Sequence, residues 1–523
     1  MSDRIRKYSL FIFFVMFGWI VYSPMTLNYL TNPDGIAIGL FSKPWSEGED
    51  FGRIGIRCID KLLGNIISPN MALIISLSIL GVAMVLLIEI LGINELKKML
   101  IVGSIFLLSP NSSSLFTYYY CMIQYSLAFL LGILACWIIY KFQNRWNWML
   151  GSVLIAFQLT LYQAYLSVTI LTAIFIVIGD CIKGEKTKKI FERGIRLFLS
   201  GIVGIVGYLI LLKGLSIQLT SSRGFDKMGK LDIANLPRLI INAYINFVEY
   251  FLSNHLLNNV WMFRRYINIV VILLTLILFI ILLAKRIKNW VSYVIIALCV
   301  ILCPIACEIT TIIAPGVDTY GTTGILLVPA MSMVYMLPIW MMSELQKENV
   351  KDKNNYIFQN NYVSIILKYA YLFVIISLLW NSMIYTTVVE NVMQLNYEST
   401  YILCQKISNS IDLKYGYNKN QKIMIVGDPE LGNYSCTYED LRNIVKGSLA
   451  EKGCIWKGER IATVCYQAFF KNYFGIKYQI PTEDEYNNVL KSGNIQNMDI
   501  FPSENSLAII DDIVVIKLSE LQK

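Results

Sequence analysis

The sequence has 523 residues, of which 56% are hydrophobic and only 15% are charged. Soluble globular proteins carry about 25% charged residues, so this composition predicts a membrane protein. The formal net charge of +9 does not indicate nucleic-acid binding, because the Lys and Arg residues lie mostly in short loops between apolar segments. With a single histidine in the chain, a histidine-based metal cluster is excluded.

Long apolar segments divide most of the chain into membrane-spanning helices, since the core of a bilayer requires about 20 helical residues. We predict about eleven crossings, at 8–26, 70–92, 98–109, 115–140, 148–161, 164–180, 197–215, 266–284, 291–313, 325–342 and 362–385. The stretch 148–180 is divided at Tyr162-Gln163, because a single helix there would place the basic loop 183–196 on the outer face, against the positive-inside rule. The odd number of crossings puts the N-terminus inside and the C-terminus outside.

Two long loops fall on the outer face in this topology, at 27–69 and 214–265. Both mix polar and apolar residues in a way that fits helices lying on the membrane surface. Backbone without internal hydrogen bonds is not tolerated in contact with lipid, so these loops are expected at or above the interface.

The pattern changes near residue 389, where helical stretches begin to alternate with short strands. Strands are expected at 422–427, 461–465 and 509–516. We therefore divide the chain into a transmembrane domain, 1–388, and a small extracytoplasmic α/β domain, 389–523.

The first long loop carries the strongest chemical signal. Its acidic and aromatic side chains, with one arginine, include Asp34, Trp45, Glu47, Glu49, Asp50 and Arg53. A carboxylate at a membrane surface can act as a general base or bind a divalent metal, whereas tryptophan and arginine suit a sugar face and a phosphate. The simpler interpretation is that Asn32-Pro33-Asp34-Gly35 forms a β-turn and the other acids form a solvated rim.

Two other pairs of residues are candidates. Arg264 and Arg265 lie at the start of a helix on the outer face, where basic residues can hold a lipid phosphate or simply extend to the interface. Tyr162 and Gln163 lie in the divided stretch, where polar groups at membrane depth mark a cavity or join two helices by a hydrogen bond.

The order of the motifs resembles a known family. Asn32-Pro33-Asp34-Gly35 follows the first helix, and Gly52-Arg53, Ser109-Pro110 and Tyr162-Gln163-Ala164 come after it in that order. A Lys-Ile-Met-Ile-Val-Gly strand then opens the C-terminal domain. This sequence of motifs resembles the bacterial type II glucosyltransferase family, an O-antigen-modifying group of polytopic, GT-C-like membrane glycosyltransferases.

The resemblance implies an activity. It indicates a glycosyltransferase that moves a sugar, taken as glucose, from a polyprenyl-phosphate donor to a cell-surface or lipid-linked glycan. Transfer would take place on the outer face of the bacterial cytoplasmic (inner) membrane. The family pattern has two adjacent acids in the first outer loop, whereas this chain has Asp34 followed by Gly35, which argues against a paired-carboxylate mechanism.

The resemblance also implies roles for particular residues. Asp34 is the expected catalytic base, with a divalent metal at that position left open. Arg53 is expected to bind the donor phosphate, and the outer-face position of Arg264 and Arg265 suggests the same task. Candidate substrate-binding residues around them are Trp45, Glu47, Glu49, Asp50, Tyr162 and Gln163.

Other functions remain open at this stage. A transporter or flippase of lipid-linked glycans would be expected to show broken helices in two related halves, and no such repeat stands out in the sequence. A glycan polymerase or ligase would also carry long outer loops.

Overall fold

A computed structural model of the chain describes residues 2–41, 49–142, 144, 146–220, 234–252, 262–314, 324–349, 362–434, 441, 445, 448–456 and 458–521. Helices form most of this structure. The first nine are α1 (Asp3–Leu27), α2 (Pro33–Ile38), α3 (Ile54–Leu62), α4 (Pro69–Leu91), α5 (Leu96–Leu107), α6 (Pro110–Phe116), α7 (Met122–Lys141), α8 (Asn147–Leu161) and α9 (Leu166–Ile182). The next eight are α10 (Thr187–Gly214), α11 (Leu236–Leu252), α12 (Met262–Arg286), α13 (Trp290–Cys307), α14 (Ile309–Ile313), α15 (Met331–Val334), α16 (Leu337–Asn349) and α17 (Tyr362–Tyr415).

The lengths and composition of these helices identify a multi-pass membrane protein. Eight helices of the described residues are long and apolar enough to cross a membrane, or up to nine if the bent pair α5 and α6 is one span. The expected number of about eleven is larger because α8 has only 15 residues and because 325–342 is divided among short helical segments. The GT-C-like arrangement of the spans stays a prediction.

The predicted division of 148–180 is confirmed. Tyr162 is extended between α8 and a 3-10 turn, Gln163–Tyr165, that leads into α9. The Gln158 side chain lies across this break: its Nε2 donates to the carbonyl of Tyr165 at 2.8 Å, and its Oε1 accepts from Thr169 Oγ1 at 2.8 Å. Interrupted backbone at this depth is tolerated because side chains supply the missing hydrogen bonds.

The Asn32-Pro33-Asp34-Gly35 motif is the start of a helix, so the β-turn interpretation is wrong. Asn32 is the N-cap of α2, and its Oδ1 accepts from the Gly35 amide at 3.0 Å. Proline at the next position is favoured because its missing N–H would have no partner in the first helical turn. Asn32 Nδ2 also donates to the carbonyl of Thr117 at 3.0 Å, which fixes α2 against the loop 117–121.

The C-terminal part contains a three-stranded sheet and two further helices, α18 (Glu459–Phe469) and α19 (Glu483–Lys491). The strands are β1 (Lys422–Val426), β2 (Leu507–Ile510) and β3 (Ile513–Lys517), in the order β1-β3-β2. β1 runs parallel to β3, and β2 runs antiparallel to it. The predicted boundary at 388/389 lies inside α17.

Two of the three strand predictions need correction. The strand at 422–427 is confirmed, but 509–516 covers parts of two strands joined by Asp511 and Asp512, whose φ angles of 49° and 59° suit a two-residue hairpin turn. The strand expected at 461–465 is wrong, because these residues lie in α18. Its buried hydrophobic positions are Ala462, Cys465, Tyr466 and Phe469, which follow the helical spacing of three and four residues.

The C-terminal domain packs directly on α2. Ile36 is fully buried among side chains of that domain, including Leu403 and Phe469. Two hydrogen bonds cross the same junction: Asn472 Nδ2 donates to the carbonyl of Ile36 at 3.2 Å, and Tyr473 Oη donates to the carbonyl of Tyr29 at 2.9 Å. The first loop is therefore held between the helical bundle and the C-terminal domain.

This packing predicts the effect of removing the Ile36 side chain. Ile36→Ala should destabilise the protein by about 2–5 kcal/mol, since it leaves a cavity in a packed core. Ile66→Ala is the control, because Ile66 lies in the same loop with 65% of its surface exposed. Thermal unfolding of both variants in detergent should show a lower midpoint for Ile36→Ala alone, and equal midpoints would contradict the packing described here.

Candidate active site

Asp34 lies where the membrane domain meets the C-terminal domain. It occupies the first turn of α2 and is half-buried. Its Oδ1 accepts a hydrogen bond of 2.7 Å from Nε1 of Trp456, a residue of the C-terminal domain. The carboxylate thus receives a donor from a part of the chain 422 positions away.

A cluster of tyrosines borders Asp34. Tyr118, Tyr119 and Tyr120 are buried in the loop 117–121 and do not form an exposed aromatic belt at the membrane surface. Burial raises the pKa of Tyr120 well above its ordinary value, and the negative charge of Asp34 adds to the effect. Tyr120 therefore keeps its proton at neutral pH and can serve as a hydrogen-bond donor.

The tyrosine cluster continues through the bundle towards Arg53. The ring of Tyr118 lies 5.9 Å from Tyr120 and 6.1 Å from Tyr125, measured between centroids. Tyr125 stacks on Tyr162 at 4.3 Å, and the guanidinium of Arg53 lies 4.4 Å from the centroid of Tyr162. Such a distance is typical of a cation–π interaction. We call Tyr118, Tyr120, Tyr125 and Tyr162 the tyrosine wall.

The tyrosine wall joins the acid to the guanidinium. Tyr120 lies close enough to Asp34 for the charge of the carboxylate to raise the pKa of its phenol. Arg53 contacts Tyr162 at the other end of the wall, so three residues that the sequence predicts for the site lie along one row of tyrosines. Gln163 lies in the same region, but its side chain donates a hydrogen bond to the backbone of Phe51, close to Arg53.

A tight turn positions Arg53. Gln163 Nε2 donates to the carbonyl of Phe51 at 2.8 Å and to Tyr208 Oη at 2.8 Å. Tyr208 Oη in turn donates to the carbonyl of Gly52 at 3.1 Å. Gly52 has φ +73° and lies so close to Tyr208 that an added Cβ would be 2.4 Å from its hydroxyl oxygen. Glycine satisfies both the dihedral angle and the close approach.

The remaining candidates are not brought to the tyrosine wall by any described contact. Asp50 is exposed, and its carbonyl accepts from the amide of Thr220 at 2.8 Å. Arg265 is exposed near the start of α12. Trp45 and Glu47 lie outside the described residues. The same is true of the side chains of Glu49 and Arg264.

Sequence analysis missed two relevant residues. Trp456 follows no motif, and only the folded chain shows its contact with Asp34. Asp60 is a second buried acid of the first loop, and its Oδ1 accepts from Gln124 Nε2 at 2.6 Å. This hydrogen bond joins α3 to α7, which assigns Asp60 to helix packing.

The described residues do not supply a clear metal site. No group of three or more His, Cys, Asp or Glu side chains is placed to hold a metal ion in the part of the chain that the structure describes. Asp34 has the indole N–H of Trp456 on one oxygen, and an N–H group is not a metal ligand. We therefore draw no catalytic step through a metal.

Comparison with protein families decides the class of the protein. Residues 25–339 match the family described as glucosyl transferase GtrII. The chain belongs to this family. The match covers more than half of the chain and confirms the predicted type II glucosyltransferase family. No curated protein matches the chain.

The GtrII match covers most of the candidate site but not all of it. It includes Asp34, Arg53, the tyrosine wall and Gln163, all of which lie between residues 25 and 339. Trp456 lies beyond the matched residues. The contact between Trp456 and Asp34 is therefore a feature of this chain's structure and does not come from the family match.

The close approach at Gly52 generates a prediction. Gly52→Ala should lower stability by about 2–4 kcal/mol, because a positive φ disfavours alanine and the new methyl group overlaps the Tyr208 hydroxyl. Gly64→Ala is the matched control, since Gly64 has φ +69° but its added Cβ would lie 3.9 Å from the nearest atom. Removing the overlapping oxygen, with Tyr208→Phe in the Gly52→Ala background, should recover part of the loss. Thermal unfolding in detergent measures all three variants, and equal losses for the two glycines would contradict the overlap.

Proposed function

We propose that this protein transfers glucose from a polyprenyl-phosphate donor to a cell-surface glycan on the outer face of a bacterial cytoplasmic membrane. Membership of the GtrII family supports glucosyl transfer as the class of reaction. The observation that carries the proposal is that Asp34 and Arg53 flank one tyrosine wall. An acid that can take a proton and a cation that can hold a phosphate are the two groups that this reaction requires.

Asp34 is the proposed general base. Its carboxylate takes the proton from an acceptor hydroxyl, and the resulting oxygen attacks C1 of the donor glucose. The bond between C1 and the phosphate oxygen breaks, and the phosphate leaves with the electron pair. One carboxylate suffices for this single displacement, which inverts the configuration at C1.

Arg53 is the proposed partner of the departing phosphate. The negative charge on that phosphate grows during transfer, so a nearby guanidinium stabilises the transition state. The N–H donors of a guanidinium lie in one plane and match phosphate oxygens, and a guanidinium over an aromatic ring can still present them to a phosphate. The stacking of Arg53 on Tyr162 therefore fits phosphate binding.

The placement of the two domains supports the predicted topology. The first loop and the C-terminal domain contact each other through Ile36 and Tyr473, so they lie on the same side of the spans. Together with the distribution of basic loops, this favours an inside N-terminus and an outside C-terminal domain. A donor flipped to the outer face would reach Asp34 and Arg53 there.

The assignment of Asp34 predicts the effect of removing its charge. Asp34→Asn should abolish transfer from polyprenyl-phosphate [¹⁴C]glucose in membranes while leaving the amount of folded protein unchanged, since an amide cannot take the acceptor proton. Asp484→Asn, at an exposed acid of the C-terminal domain, is the control.

A second acid variant sharpens this experiment. Asp60→Asn changes the other buried acid of the first loop and should reduce stability more than it reduces turnover. Wild-type activity in Asp34→Asn, together with loss of turnover in folded Asp60→Asn, would identify Asp60 as the general base in place of Asp34. Absence of label transfer even with wild-type protein would favour another donor or a transport function.

The assignment of Arg53 predicts a change in donor use. Arg53→Gln should lower kcat/KM for the polyprenyl-phosphate donor by about tenfold to hundredfold, because charged hydrogen bonds to the phosphate are lost. Arg53→Lys should recover only part of the lost kcat/KM, since an ammonium lacks the planar fork of donors. Arg57→Gln changes an exposed arginine of the same region and serves as the control. Unchanged donor kinetics in Arg53→Gln would show that Arg53 does not bind the donor phosphate.

A further inference from the structure

We infer that the C-terminal domain completes the active site and that Trp456 is a positioning residue for Asp34. The inference rests on the proposed role of Asp34 as the base. The hydrogen bond from Trp456 Nε1 to Asp34 Oδ1 measures 2.7 Å. This distance is typical of a hydrogen bond to an ionised acceptor, which is stronger than one between neutral groups.

The indole of Trp456 belongs to the packing of both domains. Its ring is partly buried and contacts the main core of the helical bundle as well as the core of the C-terminal domain. A side chain packed on two cores has little rotational freedom. Because an indole has a single donor and no acceptor, a fixed ring points that donor in one fixed direction, towards Asp34.

The backbone around Trp456 is also fixed by its own domain. A hydrogen bond from the backbone of Trp456 reaches the thiol of Cys465 in α18. Cys465 is fully buried, and α18 packs against both α2 and β1. The position of the indole is therefore set by the C-terminal domain, and the helix that carries Asp34 packs on the same elements.

The hydrogen bond has a chemical consequence for the base. A carboxylate near the end of a flexible side chain can rotate, and a donor on one oxygen restricts that rotation. An N–H group that donates to a carboxylate also favours its ionised form, which is the form a general base requires. Trp456 thus orients Asp34 and keeps it ready to accept a proton.

Two groups that interact with Asp34 in the described part of the chain remain neutral at physiological pH. Burial raises the pKa of the Cys465 thiol to about 12, and the charge of Asp34 acts in the same direction. Tyr120 has its pKa raised well above its ordinary value by burial and by the same charge. Neither of these two groups is therefore expected to titrate on the acidic limb of the activity profile.

The test compares two variants that each lose one hydrogen bond at the domain junction. Trp456→Phe removes the donor to Asp34 but keeps an aromatic ring. Tyr473→Phe removes the donor to the carbonyl of Tyr29, 2.9 Å away, at the same junction but not on Asp34. Both are made in the full-length protein and assayed in detergent with polyprenyl-phosphate glucose.

Trp456→Phe should lower kcat by about tenfold to hundredfold, the range expected for losing a hydrogen bond to a charged group. The KM for the donor should stay near the wild-type value. The acidic limb of the pH profile should move to higher pH, since the ionised carboxylate loses a stabilising donor. Tyr473→Phe should leave kcat and the pH profile unchanged. Equal behaviour of the two variants would overturn the inference.

A third variant separates positioning from packing. Trp456→His fills less of the space left by the indole but keeps a ring N–H donor. Positioning predicts that Trp456→His retains more kcat than Trp456→Phe, whereas packing alone predicts the reverse order and would overturn the inference. This comparison holds even where both variants lower the thermal midpoint.

Asp34→Asn distinguishes failure of this inference from failure of the proposed function. If Asp34→Asn is active, Asp34 is not the base and both fail. If Asp34→Asn is inactive while Trp456→Phe behaves like Tyr473→Phe, only the role of Trp456 fails.

Discussion

The arrangement of the site depends on how the short helix α2 is held. Asn32 anchors its start twice, to the amide of Gly35 and to the carbonyl of Thr117. Ile36 anchors its other face in the core of the C-terminal domain. A helix of six residues has little stability of its own, so these tertiary contacts determine where Asp34 lies. The orientation of the carboxylate is a property of two domains and not of the loop that contains it.

Burial gives the tyrosine wall its electrostatic character. The buried phenol of Tyr120 keeps its proton, and charges beside a buried ring interact more strongly than charges in water. The charge of Asp34 acts on Tyr120 at one end of this wall, and Arg53 lies over the ring of Tyr162 at the other. In the proposed reaction, Asp34 takes the proton of an acceptor hydroxyl and Arg53 holds the phosphate of the donor. This division of tasks explains why the region contains many aromatic residues and few acids.

The sequence predicts the local parts of this structure well. The break at Tyr162-Gln163 follows from the charges of the next loop, and the first strand follows from its apolar run. Asp34 and Arg53 lie in motifs that resemble a known family, and their catalytic roles stay a prediction. These features depend on residues that are close together in the chain, and local patterns record them directly.

Short sequence patterns do not predict features that depend on distant residues or that appear only over a long segment. The segment 461–465 resembles a strand when it is considered alone, and its helical spacing emerges only over the whole of Glu459–Phe469. The stretch 325–342 is apolar, but Pro329 precedes α15 and Pro338 lies in the first turn of α16, and proline cannot continue a helix that precedes it. The contact of Trp456 with Asp34 has no local signature, because nothing near either residue specifies the other.

The burial of Ile36 has a consequence for the order in which the protein is made. Ile36 is synthesised early, but the other residues of the core that encloses it begin at Leu403. Until the C-terminal part of the chain has been made and has folded against it, α2 lacks its covering surface and Asp34 lacks its indole partner. Maturation of the enzyme is therefore tied to completion of the polypeptide, so that a ribosome-bound or prematurely terminated chain carries the acid without the assembled centre around it.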